Sequence, residues 1–183
     1  MVGLQSLDLP IGVRIPVSQP KISRQRQKAG VASVSDCVPS TAYCQLLMDG
    51  WHETEVRVRY AETDQMGIVH HSNYLIWFEA GRSDLCRARG FSYKEMEQKH
   101  NALLVVAESY ARYKSPAFYE DLLIIRTKIA EIRSRSLRFV YEIYRPHDNA
   151  LLAEGETLHL VTDESKRVRT LPDNYRKLLA NDE

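Results

Sequence analysis

An α+β fold is the class this sequence predicts, on three observations. From Glu53 onward apolar and polar residues alternate, with Val56, Val58 and Tyr60 on one face and Glu55, Arg57 and Arg59 on the other, the period of a half-buried strand. One long helical pattern follows, with Tyr74, Trp77, Phe78, Gly81, Leu85 and Ala88 at helical spacing. Four runs rich in β-branched, aromatic and leucine residues fill most of what remains. Short connections between those runs predict an antiparallel meander, with the buried helix packed across its concave face.

Taken in order, residues 1–47 differ from the rest. They carry Pro10, Pro16, Pro20 and Pro39 without a sustained hydrophobic period, and predict a disordered N-terminal extension. The basic residues Arg14, Lys21, Arg24, Arg26 and Lys28, with few acids, are similar to an organellar transit peptide. A plain tail, or a start placed too early with Met48 as the first residue, is the preferred account of them, because transit-peptide composition is permissive. After the first strand comes the turn around Gly67. Ser72 or Asn73 can cap the long helix, Leu75, Ala80 and Cys86 widen its apolar surface until it is wrapped on most sides, and Gly90 stops it. Ser92 caps a second short helix running to about His100, with Glu95 at the capping-box position. Strands are predicted at Leu103 to Tyr113, Leu122 to Ile132, Leu137 to Arg145 and Leu151 to Thr162, and a terminal helix at Asn174 to Ala180.

The bulk properties bound the function. The length of 183 residues suits one domain, placed at 48–183. A formal charge of +1 gives no electrostatic case for nucleic acid, and no apolar run suits stable membrane insertion. Cys37, Cys44 and Cys86 are odd in number and lack metal-ligand spacing, and no secretory signal follows the amino terminus, so a cytoplasmic protein is expected.

The stretch from Tyr60 to Arg82, YAETDQMGIVHHSNYLIWFEAGR, carries the chemistry. With its Tyr60, Thr63-Asp64, Gly67-Ile68-Val69, His71, Asn73-Tyr74, Phe78-Glu79 and Arg82, the chain resembles the 4-hydroxybenzoyl-CoA thioesterase-like family, which includes the Tol-Pal-cluster acyl-CoA thioesterases. Tyr113-Lys114-Ser115-Pro116-Ala117 followed by Asp121 looks like that family's loop between strands. The resemblance spans Glu53 to about Leu171. It implies a hotdog fold, an antiparallel sheet wrapped around one long central helix. It also implies hydrolysis of an acyl-CoA or acyl-carrier-protein thioester, aliphatic or aromatic, by a homodimer or homotetramer.

In that reading Asp64 and His71 are catalytic, and Gly67, Val69, His70, Asn73 and Tyr74 bind substrate. Asp64 would attack the thioester carbonyl or deprotonate a water, and unpaired amides at the helix start, around His71, would hold the oxyanion. The plainer role for Asp64 is a turn carboxylate accepting nearby amides. No cofactor is called for. A metal at His70 and His71, with His52 or Glu62, is discounted because adjacent side chains should point apart. Glu79 is read as an ion-pair partner of Arg82 and not as a second acid, and Trp77 and Phe78 as core. Lys114, Arg133, Arg135 and Arg138 are candidates to meet the coenzyme A phosphates. The rival functions are an acyl-thioester hydratase or dehydratase, and a non-enzymatic acyl-thioester binding protein.

Overall fold

The computed structural model describes residues 50–180; the N-terminal extension expected at 1–47 lies outside them. Strand β1 (His52–Arg57) leads through a 3-10 turn (Tyr60–Glu62) to helix α1 (Ser72–Ala88) and helix α2 (Tyr93–His100). Strands β2 (Leu103–Tyr113), β3 (Leu122–Ile132), β4 (Ser136–Arg145) and β5 (Ala150–Thr162) follow, and helix α3 (Asp173–Ala180) closes the described chain. The five strands form one antiparallel sheet in the order β1-β3-β4-β5-β2. This corrects the four-strand meander. β3, β4 and β5 do follow one another by hairpins, but β2 pairs with β5, and residues 114–121 carry the chain back to the other side of the sheet. Among the described residues no helix is long and apolar enough to cross a membrane.

Helix α1 packs chiefly on β1 and β3 and also touches β2. Its buried residues, Tyr74, Trp77, Phe78, Gly81, Arg82, Leu85 and Cys86, recur at three- and four-residue steps and so share one face. Phe78 stacks on Tyr141 of β4 at 4.3 Å and lies over Gly155 of β5, where a Cβ would come within 2.4 Å of its ring. Full burial of such a ring contributes about 1.5 to 3 kcal/mol. Glycine at 155 therefore sets how closely the helix sits on the sheet.

Three local expectations change. Tyr60 does not extend the strand face: the chain coils into the 3-10 turn after Val58, leaving Tyr60 77% exposed while Val58 is buried. Leu75 and Ile76 are also exposed, so within one chain α1 is not covered on most sides. His71, not Ser72 or Asn73, occupies the cap position of α1, and it does so without a side-chain cap bond. Gly90 does stop the helix, at a φ of +87° that favours glycine. Ser92 caps α2 by accepting from the Glu95 N–H at 3.2 Å, while the Glu95 carboxylate turns outward to Lys99.

Candidate active site

Between β1 and α1 the chain makes a tight loop that places Asp64. The Asp64 N–H donates to the Ile68 carbonyl at 2.8 Å, and the Gly67 N–H donates back to the Asp64 carbonyl at 2.9 Å. Gly67 has a φ of +77°, which explains glycine at this point of the turn. One carboxylate oxygen of Asp64, Oδ1, accepts from the Met66 N–H at 2.8 Å. The turn role considered for Asp64 is thus real, and it engages one carboxylate oxygen.

A second loop, between β2 and β3, flanks the first. The Val69 N–H donates to the Ala117 carbonyl at 2.9 Å, and Ile68 bridges to Phe118. Asp121 holds this loop by accepting from the Phe118 N–H at 2.9 Å and from Arg145 at 3.1 Å. Arg145 also donates to the Pro116 carbonyl and pairs with Asp148 at 2.7 Å. Hydrogen bonding to Arg145 holds the Asp148 carboxyl down at about 2, and the same contact raises the Arg145 guanidinium. Arg145 was not singled out in the sequence, where only the turn that follows it gave a signal.

The start of α1 completes the site. The Asn73 side-chain amide donates to the Glu62 carbonyl at 2.8 Å and to the His70 carbonyl at 3.3 Å, while the Asn73 N–H donates to the His70 carbonyl at 3.0 Å. Among the described residues the His71 N–H has no acceptor. Beneath this turn Glu62 is buried and accepts from the Arg59 guanidinium and amide and from Trp77 Nε1. Burial alone would raise the Glu62 carboxyl; the bonds from Arg59 and Trp77 outweigh it and leave the pKa lowered.

These pieces enclose an open cavity of about 440 Å³ lined by Asp64, Met66, Ile68, Val69, His71, Tyr74, Tyr113, Lys114, Ser115 and Pro116. Four of the residues assigned from the sequence, Asp64, Val69, His71 and Tyr74, meet there. Gly67, His70 and Asn73 are not in the lining: Gly67 shapes the turn, His70 Nδ1 bonds Ser72 Oγ at 2.8 Å, and Asn73 ties the helix to the 3-10 turn. Of the four cations considered for coenzyme A, only Lys114 lines the cavity, paired with Glu154 at 2.8 Å; Arg133 and Arg138 pair with Glu131 and Glu156. Met66, Ile68, Tyr113, Ser115 and Pro116 had no assigned role, although all but Met66 stand in the two blocks that carry the resemblance. Glu79 pairs with Arg82 at 3.3 Å, and Trp77 and Phe78 are core.

The His70 and His71 rings lie side by side, centroids 4.1 Å apart, so the argument that they must point apart does not hold. Among the described residues no three His, Cys, Asp or Glu side chains group around a point that could hold a metal.

Comparison with known proteins bears on the family of the chain. The thioesterase-like superfamily matches residues 58–179. The Bacillus subtilis protein YneP is 39% identical over 110 residues, covering 60% of this chain and 78% of its own. The acyl-CoA thioester hydrolase YbgC of Escherichia coli O6:H1 is 36% identical over 118 residues, 64% of this chain and 87% of its own. Among solved structures, a DHNA-CoA thioesterase from Staphylococcus aureus superposes with a TM-score of 0.68 at 27% identity, covering 72% of this chain and 89% of its own. With the matched span running from the end of β1 into α3, and so through both loops of the cavity, this chain belongs to the thioesterase-like superfamily.

Proposed function

We propose that the protein is an acyl-CoA thioesterase that hydrolyses R-CO-S-CoA to the free acid and coenzyme A. One observation carries this reading: Asp64, His71 and the Tyr113 to Pro116 wall line a single cavity from three separate parts of the chain. Asp64 uses the carboxylate oxygen not engaged by Met66, either adding to the thioester carbonyl as nucleophile or taking the proton of an attacking water. The His71 amide, at the start of a 17-residue helix and so at the positive end of its dipole, meets the oxyanion. His71 lines the same cavity, and in this reading its imidazole orients the thioester or the water. Tyr74 and Val69 border the acyl group, and Lys114 stands where a coenzyme A phosphate would be neutralised.

Residues from 48 onward act as one unit with a hotdog arrangement, the sheet curving around α1. Burial of the α1 face formed by Tyr74, Trp77, Phe78 and Leu85 supports this. A homodimer or homotetramer is part of the reading. It is supported by the edge position of β2, whose Val105, Val106 and Tyr110 are exposed, since an unpaired edge invites pairing. The free, buried thiol of Cys86 fits a cytoplasmic site of action.

The test is thiol release from 4-hydroxybenzoyl-, butyryl- and palmitoyl-CoA, with the matching acyl-carrier-protein thioesters alongside. Asp64→Asn should lower kcat by about a thousandfold or more. Absence of thiol release by the wild type, or full activity of Asp64→Asn, would refute the proposal. Single-turnover hydrolysis in ¹⁸O water separates the two routes, because only the nucleophilic one places solvent oxygen in the Asp64 carboxylate.

A further inference from the structure

Glu62 is a buried carboxylate with no part in the chemistry proposed above: it does not line the cavity, and it ends the 3-10 turn two residues before Asp64. Four N–H groups meet it, the Arg59 amide at 2.7 Å on Oε2, and Arg59 Nη2 at 2.8 Å, Arg59 Nε at 3.2 Å and Trp77 Nε1 at 3.4 Å on Oε1. Burial alone would raise its pKa; the bonds from Arg59 and Trp77 outweigh that and hold it lowered, so the group is an anion at neutral pH. An apolar side chain of similar size would fill the same space without the cost of burying a charge. What the carboxylate adds is direction. It ties the turn to Arg59 on one side and, through Trp77, to the buried face of α1 on the other.

The main chain of the same residue is engaged as firmly. The Glu62 carbonyl accepts from the His70 N–H at 2.9 Å and from the Asn73 side-chain amide at 2.8 Å, and the Asp64 N–H donates to the Ile68 carbonyl at 2.8 Å. The bonds from His70 and Asp64 close the antiparallel bridge between Thr63 and Val69. One holds the Glu62–Thr63 peptide and the other the Thr63–Asp64 peptide. A shift of the turn at Glu62 therefore passes through a single residue to Asp64, which lines the cavity.

We propose that Glu62 is a positioning residue for thioester hydrolysis: its carboxylate locks the 3-10 turn onto α1, and the Thr63–Val69 bridge carries that placement to Asp64. This rests on the role given to Asp64 above. Glu62 touches no reacting atom. A misplacement of about 1 Å at a reacting group can cost about a hundredfold in rate, so loss of Glu62 should appear in kcat and leave KM nearly unchanged.

The experiment measures kcat, KM and thermal midpoint for full chains of the wild type, Glu62→Gln, Arg59→Met and Asp64→Asn with 4-hydroxybenzoyl-, butyryl- and palmitoyl-CoA, at a temperature where each is folded. Glutamine keeps the shape but sets its own NH2 against the donors of Arg59 and Trp77. Methionine removes only the guanidinium of a largely exposed side chain and spares the core. On each substrate the wild type turns over, Glu62→Gln should lower kcat about tenfold and Arg59→Met about threefold, both with KM changed less than about twofold. A purely structural role would lower the midpoint and leave kcat of the folded protein untouched. An unchanged kcat in Glu62→Gln, or a raised KM at constant kcat, overturns the role given to Glu62; if Glu62→Gln does not fold, Arg59→Met decides by the same readings. Inactive Asp64→Asn beside fully active Glu62→Gln and Arg59→Met overturns that role alone; active Asp64→Asn overturns the reading of the site on which it rests.

Discussion

Replacing Gly81 with alanine sets two effects against each other in the middle of α1. Helix propensity favours alanine by roughly 1 kcal/mol. Packing opposes it, because a Cβ at Gly81 would stand 2.4 Å from Thr127 Oγ1 and 2.9 Å from Ile125 Cγ2. Contact distances are about 3.5 to 4.0 Å, so relief requires a movement of about 1 Å. Thr127 and Ile125 are fully buried in β3, and both are β-branched and stiff at χ1, so neither side chain yields easily. Overpacking of this kind costs about 1 to 3 kcal/mol, and with two atoms too close the upper half of that range applies. The net effect should be a loss of about 1 to 2 kcal/mol, or roughly 3 to 8 °C in midpoint, measured by urea and thermal unfolding. Thr127 Oγ1 is buried and makes no hydrogen bond among the described residues, so Thr127→Ala removes an unsatisfied group and opens space for the new methyl. Gly81→Ala should then cost at least about 0.5 kcal/mol less in the Thr127→Ala background. A Gly81→Ala protein as stable as wild type, or the same cost in both backgrounds, would refute the argument from close approach.

Other perturbations probe the site and its supports. Asn73→Ala removes both side-chain bonds at the helix entry and should lower kcat about tenfold or more, with a stability loss of about 1 to 2 kcal/mol in denaturant titration. Arg145→Met releases Asp121, Asp148 and the Pro116 carbonyl, so kcat/KM should fall about tenfold, and the midpoint should drop by the equivalent of about 2 kcal/mol. Burial, with Arg82 nearby as the smaller cause, lowers the His159 pKa to about 4 from an unfolded value of 6.5. The unfolded chain therefore binds the extra proton between those values, and stability falls as pH drops from about 6.5 toward 4, by an amount on the order of 3 kcal/mol. Urea titrations over that window should show the slope in wild type and a flatter one in His159→Gln.

How far the sequence reveals this molecule depends on whether the determinant is local. Runs of β-branched, aromatic and leucine residues placed β2 and β3 to the residue, and helical spacing picked out Tyr74, Trp77, Phe78, Gly81 and Leu85 as the inner face of α1, because side-chain shape and a period of 3.6 are both local properties of the chain. Alternation did not foresee that Tyr60 leaves its face, since a 3-10 turn changes the period within three residues. Nor does a period say which strand neighbours which. Placing β2 at the edge beside β5 is a global choice, and that choice brings Tyr113 and Lys114 to Asp64 and His71. Asp64 stood out because an aspartate, a glycine turn, a histidine and a helix start coincide in a few residues. Tyr113 is one aromatic in an ordinary strand, and the partner of its hydroxyl is the His71 backbone carbonyl, 42 residues away, which has no side-chain signature. The cavity thus has one wall that local pattern reveals and one that exists only through the sheet order. Substitutions on the first should act mainly through chemistry, whereas those on the second, Arg145 foremost, should act through the placement of groups they do not resemble.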